Sequence, residues 1–169
     1  MMRRILLILL CVAALAAAKT PRPLANLTLA APPGGKAVKL STYSGKVLVI
    51  AVFSTECNPC ATAIQYLERL QKEYKAKGVQ MVGAAANGGA ISTIKPFIDR
   101  YKITIPLGVL TEDEAKRLTD STPTEHLIVP AFLFVDKKGS VRFQYPGDHT
   151  FFNDGDKNTR GVIEGLLRQ

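Results

Sequence analysis

Hydrophobic positions along the chain fall into two kinds of block, continuous runs and helical repeats. Val47 to Phe53, Val79 to Ala85 and Ala131 to Val135 are unbroken apolar runs, the pattern of strands buried on both faces. From Pro59 to Lys77 the apolar residues Ile64, Leu67, Leu70 and Tyr74 recur three or four apart, which predicts a helix that Gly78 stops. Pro59 falls in the first turn of that helix, where a missing N–H costs nothing. Weaker helical patterns cover Thr93 to Tyr101 and Glu112 to Leu118, Ile103 to Leu110 reads as a short strand interrupted at Pro106, and Val162, Ile163, Leu166 and Leu167 mark a C-terminal amphipathic helix.

Turn chemistry supplies the connections. Leu27 to Ala30 and Ala37 to Leu40 are short strand-like pieces separated by Pro32-Pro33-Gly34-Gly35, which predicts an N-terminal hairpin. Asp136-Lys137-Lys138-Gly139 predicts a second hairpin that joins Ala131 to Val135 with Val141 to Tyr145. The order strand, helix, strand, helix, then hairpin and helix predicts an α/β fold, with a central mixed β-sheet, helices on both faces and an N-terminal β-hairpin extension. There is no internal repeat.

The N-terminus has its own pattern. Arg3 and Arg4 precede an apolar stretch from Ile5 to Ala18 that ends in Ala16-Ala17-Ala18, and Lys19 and a proline-rich segment follow. The stretch is shorter than the roughly 20 residues of a membrane span and reads as a secretory signal over residues 1 to 18. An uncleaved membrane anchor is the rival reading. Cys11 follows Ile8-Leu9-Leu10 where a lipoprotein would carry small residues, so it belongs to the signal core. Residues 19 to 26 are expected to be an extended leader, and residues 27 to 169 one domain with a real hydrophobic core. Localisation is therefore periplasmic or secreted, or membrane-anchored if the signal stays.

Composition narrows the function. The formal net charge of +8 becomes +6 without Arg3 and Arg4, but the basic residues are scattered and tryptophan is absent. Nucleic-acid binding is not indicated, since no dense basic run or stacking platform appears. The exported chain keeps only Cys57 and Cys60, which excludes a disulfide-stapled scaffold.

The chemistry concentrates at Cys57-Asn58-Pro59-Cys60, where the first central strand gives way to a helix. Cysteines three apart on a first helical turn lie close enough to form a disulfide, and the helix N-terminus stabilises the thiolate of the first. The pair reads as a redox switch with no cofactor. Metal capture by these sulfurs with His126 or His149 is a poor match to zinc spacing, so no metal site is assigned.

This tetrad, Tyr43-Ser44-Gly45-Lys46-Val47 before the central strand, the N-terminal hairpin and Val129-Pro130 leading into Ala131 to Gly139 together resemble the exported TlpA/ResA-like thiol-disulfide oxidoreductases of the thioredoxin superfamily. The likeness covers nearly all of residues 25 to 169. It implies a thioredoxin-like fold, Cys57 as attacking thiol, Cys60 as resolving thiol, and Pro130 as a cis proline facing them, with Val129 and Pro130 meeting an extended client chain. Its implied partners are protein disulfide or dithiol clients, apocytochrome c among them, and a membrane thiol carrier as electron donor. The oligomeric state is not legible.

The sequence also departs from that family. Glu56 stands before Cys57 where the family usually has tryptophan, and with Asn58 and Pro59 it is a candidate to modulate the pair. A negative charge there opposes the thiolate; pointed into solvent, it does little. The two positions where relatives carry a proton-accepting carboxylate are Ala51 and Ala63. Two rival functions follow from these features: a thioredoxin-like binding module whose cysteines form a structural disulfide, and a peroxiredoxin-like peroxidase, whose Pro-x-x-x-Thr-x-x-Cys pattern meets Ile50 and Ser54 here.

Overall fold

The computed structural model describes residues 20–169, and the expected signal over residues 1 to 18 lies outside them. The elements in chain order are β1 (Arg22–Pro23), β2 (Thr28–Leu29), β3 (Val38–Lys39), β4 (Val47–Phe53), α1 (Asn58–Tyr74), β5 (Val79–Ala85), α2 (Ala90–Tyr101), β6 (Leu107–Val109), α3 (Glu112–Thr119), β7 (Ala131–Val135), β8 (Ser140–Tyr145) and α4 (Gly155–Leu167). Six strands form one sheet in the order β1-β8-β7-β4-β5-β6, and β2 and β3 form a separate hairpin. β4, β5 and β6 run parallel, while β7, β8 and β1 pair antiparallel.

The unbroken hydrophobicity of β4 has a direct structural reason. Successive side chains of a strand point to opposite faces, so a strand covered on both sides must be apolar at every position. Val47, Val49, Ala51 and Phe53 enter one core, which takes in the inner faces of α1, α2 and α4. Leu48, Ile50 and Val52 enter the other, closed by Ala115 and Leu118 of α3 and by Leu29 and Val38 of the hairpin. Each fully buried Val, Leu, Ile or Phe stabilises the fold by roughly 1.5–3 kcal/mol, which makes β4 the strand on which both cores depend.

Several boundaries differ from the sequence expectation, and three of them bear on the elements around the sheet edge. α1 ends at Tyr74, and a 3-10 turn over Lys75–Lys77 tightens its exit into Gly78, whose φ of 81° suits glycine. α2 begins at Ala90 and not at Thr93, because the Ala90 amide donates to the Asn87 carbonyl at 3.0 Å and opens the helix one turn early. The strand expected over Ile103 to Leu110 shrinks to Leu107–Val109.

The leader segment is partly built into the fold. Arg22 and Pro23 pair with Val141 and Ser140 at the β8 edge. The Arg22 guanidinium donates to the Leu118 carbonyl at 2.7 Å and to Gln144 Oε1 at 2.8 Å, which ties this strand to the end of α3. Proline at a sheet edge leaves no ladder bond unmade, and the leader's composition concealed the pairing for that reason.

Candidate redox site

Parallel strands place their C-terminal ends on one edge of the sheet, and here three loops meet on that edge. β4 leaves it through Ser54-Thr55-Glu56, and β5 leaves it through Ala86-Asn87-Gly88. The antiparallel register Val52↔Ala131 brings the start of β7, and with it Val129-Pro130, to the end of β4. Crevices outside the carboxyl ends of such strands are the usual ligand sites of open α/β sheets.

Cys57 is the N-cap of α1 and Cys60 lies in its first turn; their sulfurs are joined as a disulfide with Cα atoms 5.2 Å apart. The Cys60 amide donates to Cys57 Sγ at 3.2 Å, so this sulfur occupies the place of an N-capping oxygen. Cys57 is partly exposed, whereas Cys60 is fully buried. No acidic residue lies in the first turn of α1. Asn58, Pro59 and Glu56 are all exposed, which puts the Glu56 carboxylate in solvent next to the pair.

The Val129-Pro130 peptide is cis. Val129 and Ser54 line the same cavity of about 280 Å³, together with Phe53, Asn87, Glu112 and His126. Pro130 is buried and Val129 half-buried, and the preceding Ile128 is among the exposed large hydrophobic side chains. Gly147 packs directly against this loop. Its amide donates to the Ile128 carbonyl at 3.1 Å, and a Cβ on it would come within 2.7 Å of the Val129 carbonyl.

Ala51 and Ala63 are both buried in the core that holds Cys60. The buried carboxylate of α1 is Glu68, eight residues past Cys60 and so about 12 Å along the helix axis. It is committed elsewhere: it accepts from the amides of Thr104 at 2.8 Å and Ile105 at 2.9 Å and from the Thr104 hydroxyl. Burial pushes its pKa up, but these hydrogen bonds and Lys72 outweigh burial and leave it below the ordinary glutamate value.

The histidines have separate places. His126 is exposed on the wall of the 280 Å³ cavity, and its charge helps Lys116 lower the Glu112 carboxyl. His149 caps the 3-10 turn Thr150–Asp154, with Nδ1 accepting from the Phe151 amide at 3.0 Å. Among the described residues, no three His, Cys, Asp or Glu side chains converge as a metal site.

Sequence reasoning missed one group. The Thr55 amide donates to Asn87 Oδ1 at 3.1 Å, Asn87 Nδ2 donates to Thr55 Oγ1 at 3.1 Å, and the Thr55 and Thr93 hydroxyls lie 2.6 Å apart. Strand register brings the group together: β4 and β5 pair with Phe53 opposite Ala85, and the same offset carried two residues further sets Thr55 beside Asn87. From sequence, Asn87-Gly88-Gly89-Ala90 reads as a connector or as a mobile loop bordering a groove beside Pro130.

Comparison with known proteins agrees with this architecture. The chain is 34% identical over 104 residues to the thiol-disulfide oxidoreductase ResA of Oceanobacillus iheyensis, covering 62% of this chain and 51% of that protein. It is 28% identical over 135 residues to ResA of Bacillus thuringiensis, covering 80% and 69%. The chain thus spans about half the length of the first relative and about two thirds of the second. Among solved structures, a putative thiol:disulfide interchange protein DsbE from Chlorobium tepidum superimposes with a TM-score of 0.72 at 21% identity, over 87% of this chain and 96% of that one. A secreted thiol-disulfide isomerase from Corynebacterium glutamicum gives 0.71 at 14% identity, over 86% of each chain. At these identities the structural likeness speaks for the fold, which is thioredoxin-like. The AhpC/TSA family model matches residues 22–144, from the first edge strand into β8, and the chain belongs to that family.

Proposed function

We propose that this protein is an exported thiol-disulfide oxidoreductase that reduces disulfides of protein clients through Cys57 and Cys60. The observation that carries the reading is the contrast within the pair: an accessible sulfur at a helix N-terminus is bonded to a fully buried one. In the reduced protein the Cys57 thiolate attacks a client disulfide, one client sulfur leaves and takes a proton, and a mixed disulfide forms. Cys60 then loses its proton and attacks Cys57 Sγ. The mixed bridge breaks, the second client thiol departs, and the internal disulfide closes, so two electrons and two protons have passed to the client. A dithiol donor returns the pair to its reduced state, and the donor proposed is a membrane thiol carrier.

Val129 and Pro130 are the proposed client-facing residues, since Val129 shares a cavity wall with Ser54 of the redox loop and Pro130 follows it across a cis peptide. Apocytochrome c is the client class that the likeness to the ResA proteins favours. The reducing direction rests on the resemblance to the TlpA/ResA-like oxidoreductases, because Glu56 is exposed and solvent screens its charge from Cys57. Export rests on the pattern of residues 1 to 18.

Against a peroxidase, position 50 lies inside β4, paired with Val82 and Leu133, where a proline would remove a ladder bond from a central strand. One observation favours a second reading, a binding module with a structural bridge: positions 51 and 63 are buried alanines, and among the described residues the buried carboxylate of α1, Glu68, lies two turns past Cys60. Insulin reduction by wild type and Cys57→Ser decides between them. Turnover that disappears in the variant is expected, and equal activity in both would reject the enzyme. Redox titration against glutathione tests direction, since a potential at the oxidising end of the thioredoxin-fold range would reverse it.

A further inference from the structure

The loop that presents Cys57 is short and anchored from one side. The Cys57 amide donates to the Ser54 carbonyl at 3.3 Å and the Glu56 amide to Ser54 Oγ at 3.2 Å, which makes the loop a compact turn. The amide in the middle of that turn, from Thr55, has Asn87 Oδ1 as its acceptor. Asn87 belongs to a different strand end, and its own carbonyl starts α2 by accepting from Ala90. Through the Thr55 hydroxyl the contact continues to Thr93, one turn into α2. The redox turn is thereby braced against the end of β5 and the first turn of α2.

We infer that Asn87, with Thr93 behind it, is a positioning residue that holds Cys57 Sγ at the N-terminus of α1 in the reduced protein. This rests on the redox function proposed above and deepens it. With alanine at positions 51 and 63, the thiolate has no buried carboxylate beside its partner, and its stabilisation falls to the helix N-terminus and the Cys60 amide. That stabilisation operates only within the first turn and only while the sulfur sits at the cap. A turn released from Asn87 lets Cys57 leave this place, although the helix and the sheet remain intact.

The test is the pH dependence of alkylation of the reduced, full-length protein by iodoacetamide, compared among wild type, Asn87→Ala, Thr93→Val and Thr93→Ser. Asn87→Ala is expected to move the Cys57 titration to higher pH and to slow alkylation at pH 7 by about tenfold, since one unit of thiol pKa changes the thiolate fraction by that factor. Thr93→Val, which leaves the Thr55–Asn87 contacts in place, is expected to shift the profile less in the same direction, and Thr93→Ser to restore it. A loss of packing alone would lower the melting temperature without moving the titration. Profiles of Asn87→Ala and Thr93→Val that superimpose on wild type overturn the role of Asn87 alone. A wild-type bridge that dithiothreitol does not open overturns the redox function and this role together. If Asn87→Ala fails to fold, the Thr93 pair still decides, because a Val variant identical to wild type contradicts the proposal.

Discussion

Gly147 lies so close to Val129 that a single added carbon would stand 2.7 Å from both the carbonyl carbon and the oxygen of that residue, and 3.1 Å from the Pro130 nitrogen. The contact is between backbones, so no flexible side chain can yield to relieve it. Gly147→Ala is therefore expected to displace the Val129-Pro130 loop and to cost about 1–3 kcal/mol of stability, the range for overpacking. Insulin turnover should fall several-fold while the isolated protein still forms its internal bridge. A variant with native turnover and native melting temperature would show that the loop position does not matter to clients.

Exposure separates the two sulfurs. Cys60 is fully buried and Cys57 is partly open, so a client mixed disulfide should accumulate on Cys57 when its partner is removed. Cys60→Ser, incubated with a disulfide-bearing substrate, is expected to trap a covalent adduct visible on a non-reducing gel, and Cys57→Ser to trap none. Adducts of equal yield from both variants would contradict the assignment of roles.

Ala63 follows Cys60 by three residues on α1, which places it on the same side of the helix one turn away. Ala63→Glu puts a carboxyl group into a buried site, where desolvation raises its pKa into the range of a useful proton acceptor. The expected outcome is faster disulfide exchange near neutral pH together with a lower melting temperature from the buried acid. Slower exchange at every pH would mean that solvent already serves Cys60 well.

Glu68 holds the connector between α2 and β6 through hydrogen bonds from Thr104 and Ile105. Its folded-state pKa lies below the unfolded value, so its contribution to stability is fully present above the unfolded glutamate pKa and is lost as pH falls through the folded one. Glu68→Gln is expected to reduce stability by about 2 kcal/mol at neutral pH, since the oxygen that accepts from both backbone amides loses its charge and the oxygen that accepts from the Thr104 hydroxyl is replaced by a donor. Melting curves from pH 7 down to pH 3 should converge for the two proteins at the acid end. A constant difference across that range would exclude the carboxylate as the cause.

Much of the fold could be read directly from the order of residues. The runs at Val47–Phe53, Val79–Ala85 and Ala131–Val135 became strands with those bounds because continuous hydrophobicity over five to seven residues has few other solutions in a sheet covered on both faces. The helix after Cys57 was equally legible, with proline in its first turn and glycine past its end. Less legible was Arg22–Pro23, whose two residues carry no periodicity, pair with the edge of β8 and are tied to the end of α3 through a guanidinium contact nearly a hundred residues away in sequence.

Local pattern reports which face of each element is buried, and that determined the two-sided sheet, the order of its elements and the presence of a cysteine pair at a strand-to-helix junction. Which loops meet at that junction was decided by strand register and by the close approach of backbones. The pairing of Phe53 with Ala85 sets Thr55 against Asn87, and the return of β8 brings Gly147 against Val129. Such contacts join residues tens of positions apart through single hydrogen bonds or a missing side chain, and they leave no periodic trace along the chain. They appear only once the strands are side by side.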